Sequence, residues 1–138
     1  MNRQDKVANL EKSFRTVFRK FKYDINILLG DDLSTNEFIV LKFLAQHGPK
    51  RVTDISNELA VSASHITVVT DSLVKKEYIS RHRPEGDRRV VQITLTEKGR
   101  VTLEELEAKK SSYMKSRFHP FTDEELDLFL QLMKKLED

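Results

Sequence analysis

Between Val52 and Gly99 the apolar spacing changes twice, and this limits the possible folds more than any other feature of the chain. Ile55 and Leu59, then Ile66, Val69 and Leu73, recur at steps of three and four, the spacing of a helix with one buried face. After Tyr78 the step falls to about two. Ile79 to Arg83 and Val90 to Leu95 read as strands, the second with Val91, Ile93 and Leu95 alternating against Gln92 and Thr94. Pro84, Glu85, Gly86, Asp87, Arg88 and Arg89 supply turn chemistry and positive charge between them. Thr96 then caps a return to helix. Helices, a tight hairpin and more helix predict a mainly α fold with a small antiparallel β-wing.

The turn between the two short helices is specified locally. Thr53 is placed to cap the first of them, which runs out near Ala60, and Ser62 to cap the second. Val61 before that cap and Ile66 four residues inside form a hydrophobic staple, which fixes the angle at which the chain enters the helix. With Ile66, Val69 and Leu73 inward, Ala63, Ser64, His65, Thr67, Val68 and Asp71 cover the remaining surface. The first turns therefore carry no bulky charge, and a base edge or phosphate can approach the helix amino terminus. Asp71 would repel phosphate and is expected to pair with a nearby base such as Arg81.

Long helical patterns flank this module. Val7, Leu10, Phe14, Val17, Phe18, Phe21, Ile25 and Leu28 share one face of a helix from about Arg3 to Leu29, roughly 40 Å long at ~1.5 Å per residue. That exceeds what a winged lobe can cover, so part of its stripe needs another partner. Gly30, Asp31 and Asp32 break the pattern. Ser34 with Glu37 forms a capping box for a second helix, which buries Phe38, Leu41, Leu44 and Ala45 and ends at Gly48-Pro49. The helix after Thr96 continues through Val101, Leu106 and Tyr113 to about Phe118. Thr122 with Glu125 caps the last one, whose stripe is Leu126, Phe129, Leu130, Met133 and Leu136.

Net charge is only +2, so its distribution matters more than its sum. Six basic residues stand against three acids from Lys75 to Arg89 (Lys75, Lys76, Arg81, Arg83, Arg88 and Arg89). Cysteine is absent, which removes disulfides and thiolate sites. His47, His65, His82 and His119 lack metal-ligand spacing, and Asp31-Asp32 and Glu104-Glu105 look like helix ends or solvated faces. None of the four glycines belongs to a phosphate-cradling loop. No metal, cofactor or enzymatic activity is expected. The amino terminus has no apolar leader-like core and no run of about 18 apolar residues occurs, so no membrane contact and a cytoplasmic protein are expected.

Helix, turn, capped helix and basic wing, with long helices at both ends, resembles the MarR family of bacterial winged helix-turn-helix transcription regulators. The most specific stretch is GDRRVVQITLTEKG, residues 86 to 99, similar to the family's wing ending in D-x-R followed by an alternating strand and L-T-x-x-G. The upstream LAVSASHITVVTDSLVKKEYISR is similar to its recognition helix and first wing strand. The resemblance covers nearly the whole chain. Two positions depart from it: Val68 stands where many relatives carry a basic residue, and Glu77 where they carry glycine.

The resemblance implies one MarR-like domain over residues 1–138. Its DNA-binding lobe would span 33–95, with dimerisation helices at 1–30 and 97–138. Ser62, Ala63, Ser64, His65, Thr67 and Val68 would present the recognition helix to the major groove, with a thymine-methyl contact and a packing role both open for Val68. Arg83, Asp87, Arg88 and Arg89 would form the DNA-contacting wing, with Asp87 orienting Arg89 into the minor groove. Lys75 and Lys76 are expected at phosphates. Val7, Leu10, Phe14, Leu126, Phe129, Leu130 and Met133 are expected at a homodimer interface that sets two recognition helices about 34 to 36 Å apart. The expected activity is that of a repressor on a pseudo-palindromic operator in double-stranded DNA, responsive to a small-molecule effector whose identity and site the sequence leaves unknown. A winged-helix module meeting an acidic protein partner is the alternative.

Overall fold

The computed structural model describes all residues 1–138, as six helices and a two-stranded antiparallel sheet. In order these are α1 (Arg3–Leu29), α2 (Thr35–His47), α3 (Val52–Leu59), α4 (Ala63–Lys75), β1 (Ile79–His82), β2 (Gln92–Leu95), α5 (Glu97–Phe118) and α6 (Asp123–Glu137). The mainly α winged helix-turn-helix is thus as the sequence predicts. By its contacts the chain divides within α5 into two compact units, Met1–Leu106 and Glu107–Asp138. No helix is long and apolar enough to cross a membrane.

Short polar side chains fix where the helices of the first unit begin. Asn2 and Asp5 form a reciprocal capping box for α1, and Ser34 and Glu37 form another for α2. Ser62 Oγ accepts the His65 N–H at 3.1 Å, as expected for the start of α4. The third helix departs from expectation: Thr53 lies inside it, and the cap is at Arg51, whose backbone N–H donates to Asp54 at 3.1 Å. An acid at the third helical position selected that start, because its carboxylate reaches back to the amide left without a helical acceptor.

One apolar core fills this unit. Leu41, Ile55, Leu73 and Ile93 are wholly buried, Ile66 and Val40 nearly so, and Leu29, Leu103 and Leu106 join them from the long helices. Ala45, expected inside, is exposed; Val40 and Phe43 take that role on α2. The strands are shorter than the sequence suggests, with Arg83, Val90 and Val91 outside the ladder. Pairing runs from Ile79 opposite Leu95 to His82 opposite Gln92. Lys50 adds a one-residue bridge to the far side of β2, exchanging hydrogen bonds of 3.1 and 2.7 Å with Ile93. A single bridging residue has no alternation to reveal it.

In the second unit Thr122 and Glu125 cap α6 with the expected box. Phe118, Phe121 and Phe129 form an aromatic cluster, with ring centroids 5.5 to 6.4 Å apart. Yet no residue from 107 to 138 is buried. Leu126 and Met133 are half-buried, while Leu130 and Leu136 are more than 60% exposed. Leu128 and Leu132, outside the predicted stripe, are exposed as well, so α6 is apolar on more than one side.

Candidate nucleic-acid interface

Packing divides α4 cleanly into two faces. Ile66, Val69 and Leu73 enter the core, and Thr70, which the spacing did not mark, is wholly buried with them. Its hydroxyl donates to the Thr67 carbonyl at 3.1 Å, so burial leaves no orphaned polar atom. Ser62, Ala63, Ser64, His65, Thr67 and Val68 are all exposed on the other side. Val68 is 69% exposed, which removes the packing role left open for it. Thr67 Oγ1 donates to Ala63 O at 2.9 Å, and Ser62 and Ser64 hydroxyls lie 3.3 Å apart. With no acid in its first turn, the helix end keeps the partial positive charge of its free amides.

Beside it, the hairpin tip is ordered by its own polar contacts. Asp87 Oδ1 accepts from the Arg89 backbone N–H at 3.0 Å and from its Nε at 3.2 Å. The Arg89 side chain is 92% exposed, with both terminal amino groups left available to a ligand. Its planar, permanently charged head suits a narrow, electronegative groove. Arg83 donates to the Arg88 carbonyl and closes the loop, while Arg88 itself is exposed. Asp71 pairs with Arg81, tying α4 to β1 as its sequence context suggested.

Lys75 and Lys76 separate. Lys75 is exposed at the last turn of α4. Lys76 turns inward, its ammonium donating to Glu37 Oε1 and Oε2 at 2.9 and 3.0 Å and to Asp32 O at 3.0 Å. This corrects the expectation of a phosphate contact: all three ammonium protons are spent on protein oxygens. Burial pushes the Glu37 carboxyl up and is the largest single influence. Hydrogen bonds from Ser34, Lys76 and Ser72 together outweigh it and hold the group below its usual range. The sequence showed Glu37 only as a capping residue, since its partners lie 35 and 39 positions away.

The L-T-x-x-G stretch has a mechanical meaning. Thr96 Oγ1 accepts the Gly99 N–H at 3.0 Å, capping α5, and donates to Glu77 O at 2.7 Å. Gly99 lies so close to Tyr78 that an added Cβ would sit 2.1 Å from its carbonyl oxygen. Helix α5 thereby clamps the turn joining α4 to β1. A cleft of about 460 Å³ opens near the same helix start, lined by Leu44, Pro49, Leu95, Arg100 and Leu103 among others. The Arg100 guanidinium there is held by Glu97 and Glu104, and the first of these pairings chiefly raises its pKa.

A family model described as the transcriptional regulator SarA/Rot matches residues 25–106. The chain is 43% identical to YpoP of Bacillus subtilis (strain 168), an uncharacterised HTH-type transcriptional regulator, over 98% of this chain and 96% of that protein. Among solved structures, a MarR family protein from Bacillus stearothermophilus is 29% identical with a TM-score of 0.85, covering 99% of this chain and 96% of that one. Streptococcus pneumoniae FabT, solved in complex with DNA, shares the fold at 23% identity and a TM-score of 0.83, covering 95% and 94%.

Proposed function

Because the chain belongs to the SarA/Rot family of transcriptional regulators, helix-turn-helix proteins of MarR type and not enzymes, we propose that it represses transcription as a homodimer on a pseudo-palindromic operator. DNA binding is common to such regulators; the operator form, the dimer and the sign of regulation are this proposal's own. The observation that carries it is the pairing of an exposed, small-residue face at the start of α4 with an Arg89 held outward by Asp87. In this reading residues 33–95 are the DNA-binding lobe of a single domain, and 1–30 with 97–138 are dimerisation helices. The FabT complex with DNA supports the same partner for this fold.

Ser62, Ala63, Ser64, His65, Thr67 and Val68 then meet the major groove, with Val68 against a thymine methyl. Arg89 enters the minor groove, while Lys75, Arg83 and Arg88 neutralise phosphates. Dimerisation is supported by side chains the single chain leaves in water: Val7 is 54% and Leu10 57% exposed on α1, Phe129 42% and Leu130 63% on α6. A cytoplasmic location accords with a DNA partner. The cleft beside Arg100 supports a largely apolar effector, and an occupant that leaves operator affinity unchanged would not be one.

Selection of bound duplexes followed by competition tests the proposal. An inverted-repeat duplex should outcompete random duplex, and affinity should fall by ~10³ between 50 and 200 mM salt if about six phosphates are neutralised per dimer. Selection on Val68→Ser should return a changed base at one position per half-site. Binding to neither duplex would favour the protein-interaction module instead.

A further inference from the structure

We propose that Glu37, Ser72 and Lys76 are positioning residues for operator recognition: a buried carboxylate locks the trailing end of α4 to the start of α2, and Lys76 acts through that lock without touching DNA. The proposal rests on α4 being the recognition helix. Glu37 is 6% exposed, and its two oxygens accept four hydrogen bonds. One comes from the Ser34 N–H at 2.9 Å, one from Ser72 Oγ at 3.0 Å and two from Lys76. Ser72 and Lys76 are four residues apart, hence on one face of α4, so the carboxylate grips the helix at two successive turns. Lys76 also reaches Asp32 O at 3.0 Å, in the segment joining α1 to α2.

Charge and helix direction reinforce the lock. Glu37 stands at the amino end of α2 and Lys76 at the carboxyl end of α4, the favourable sign at each dipole. Lys98 Nζ meets the Lys76 carbonyl at 3.0 Å, so that end of α4 is also held from α5. The opposite end, carrying the exposed face from Ser62 to Val68, is held by the buried Ile66 and by the Val61 N–H donating to Ser56 O at 3.0 Å, with no ion pair of this kind. His65 lies about 16 Å along the axis from Lys76, at ~1.5 Å per residue. A tilt of about 4° at the locked end therefore moves the base-facing side chains by about 1 Å, enough to spoil directed hydrogen bonds. Breaking the lock should cost sequence discrimination and leave general attraction to DNA intact.

The test measures affinity for the selected operator and for random duplex from 50 to 200 mM salt, using Lys76→Met, Glu37→Gln, their double variant, and Lys75→Met. Lys76→Met and Glu37→Gln should each weaken operator binding about tenfold, comparable to a lost base contact, with random-duplex affinity and salt slope unchanged. The double variant should be no worse than either single one, as expected for one shared interaction. Lys75→Met should weaken both duplexes and flatten the slope by about 2 for a dimer. Ser72→Ala, a milder change, should lose part of the operator affinity in the same pattern. A core variant, Phe43→Leu, matched in melting temperature, should keep operator affinity. The proposal is overturned if Lys76→Met flattens the slope as Lys75→Met does, if Glu37→Gln leaves operator affinity unchanged, or if Phe43→Leu loses as much. A wild-type chain that does not distinguish the two duplexes overturns the recognition-helix reading itself.

Discussion

Glu77 occupies the left-handed region, with φ of 66°, just where the chain turns from α4 into β1. A Cβ in that conformation crowds the following carbonyl at a cost of about 1–2 kcal/mol, and glycine avoids it. The hydrogen bonds at Glu77, from Thr96 to its carbonyl and from its N–H to Val74 O, are backbone ones that glycine would keep, and its side chain adds only an exposed contact with Lys98 Nζ at 3.8 Å. Glu77→Gly is therefore expected to stabilise the fold by about 1 kcal/mol after the added chain entropy of glycine, read as a rise of about 3 °C in melting temperature. An unchanged or lower melting temperature would show that Glu77 is held by more than its backbone. At this scale the sequence was informative about partners as far apart as Asp71 and Arg81, and blind to those of Glu37, 35 and 39 positions away. Asp87 and Arg89 are two residues apart, so their bond is dictated by the turn. Lys76 looked like any basic residue at a helix end because Glu37, which captures it, is far away in the chain.

Elements were legible wherever a short polar side chain caps its own helix. Ser34 with Glu37, Ser62, and Thr122 with Glu125 all begin helices as their spacing required. Thr53 failed as a cap because Asp54 satisfies the Arg51 amide two residues earlier, and both patterns are plausible locally. What spacing cannot convey is how elements are held together. The α5 start is the clearest case, since Thr96 and Gly99 matter through Glu77 and Tyr78 on the opposite side of the hairpin. Gly99→Ala should destabilise by about 2 kcal/mol or more, because the Cβ meets backbone and not a yielding side chain. A melt within 1 °C of wild type would mean the two segments can separate freely, and the clamp would have to be abandoned.

At the scale of the whole molecule, large apolar side chains stand exposed along both terminal helices. The first unit buries Leu29 from α1 but leaves Val7, Leu10, Val17 and Phe18 at 44 to 58% exposure. The second buries no residue at all. A helical hairpin of this length lacks the core to fold alone, and in the proposed homodimer a second copy would cover its apolar faces. Sedimentation should give the mass of a dimer at micromolar concentration, and Leu130→Glu should shift it towards 16.1 kDa. A wild-type monomer would contradict this.

In the proposed complex two copies set α4 into successive major grooves with Arg89 in the flanking minor grooves. Hydroxyl-radical footprinting of the selected duplex tests it most directly. Two protected regions centred one helical turn apart, about 34 to 36 Å, are predicted, with outer minor-groove protection that disappears in Arg89→Ala while the inner pattern persists. A single protected region, or an outer pattern unchanged by Arg89→Ala, would contradict it.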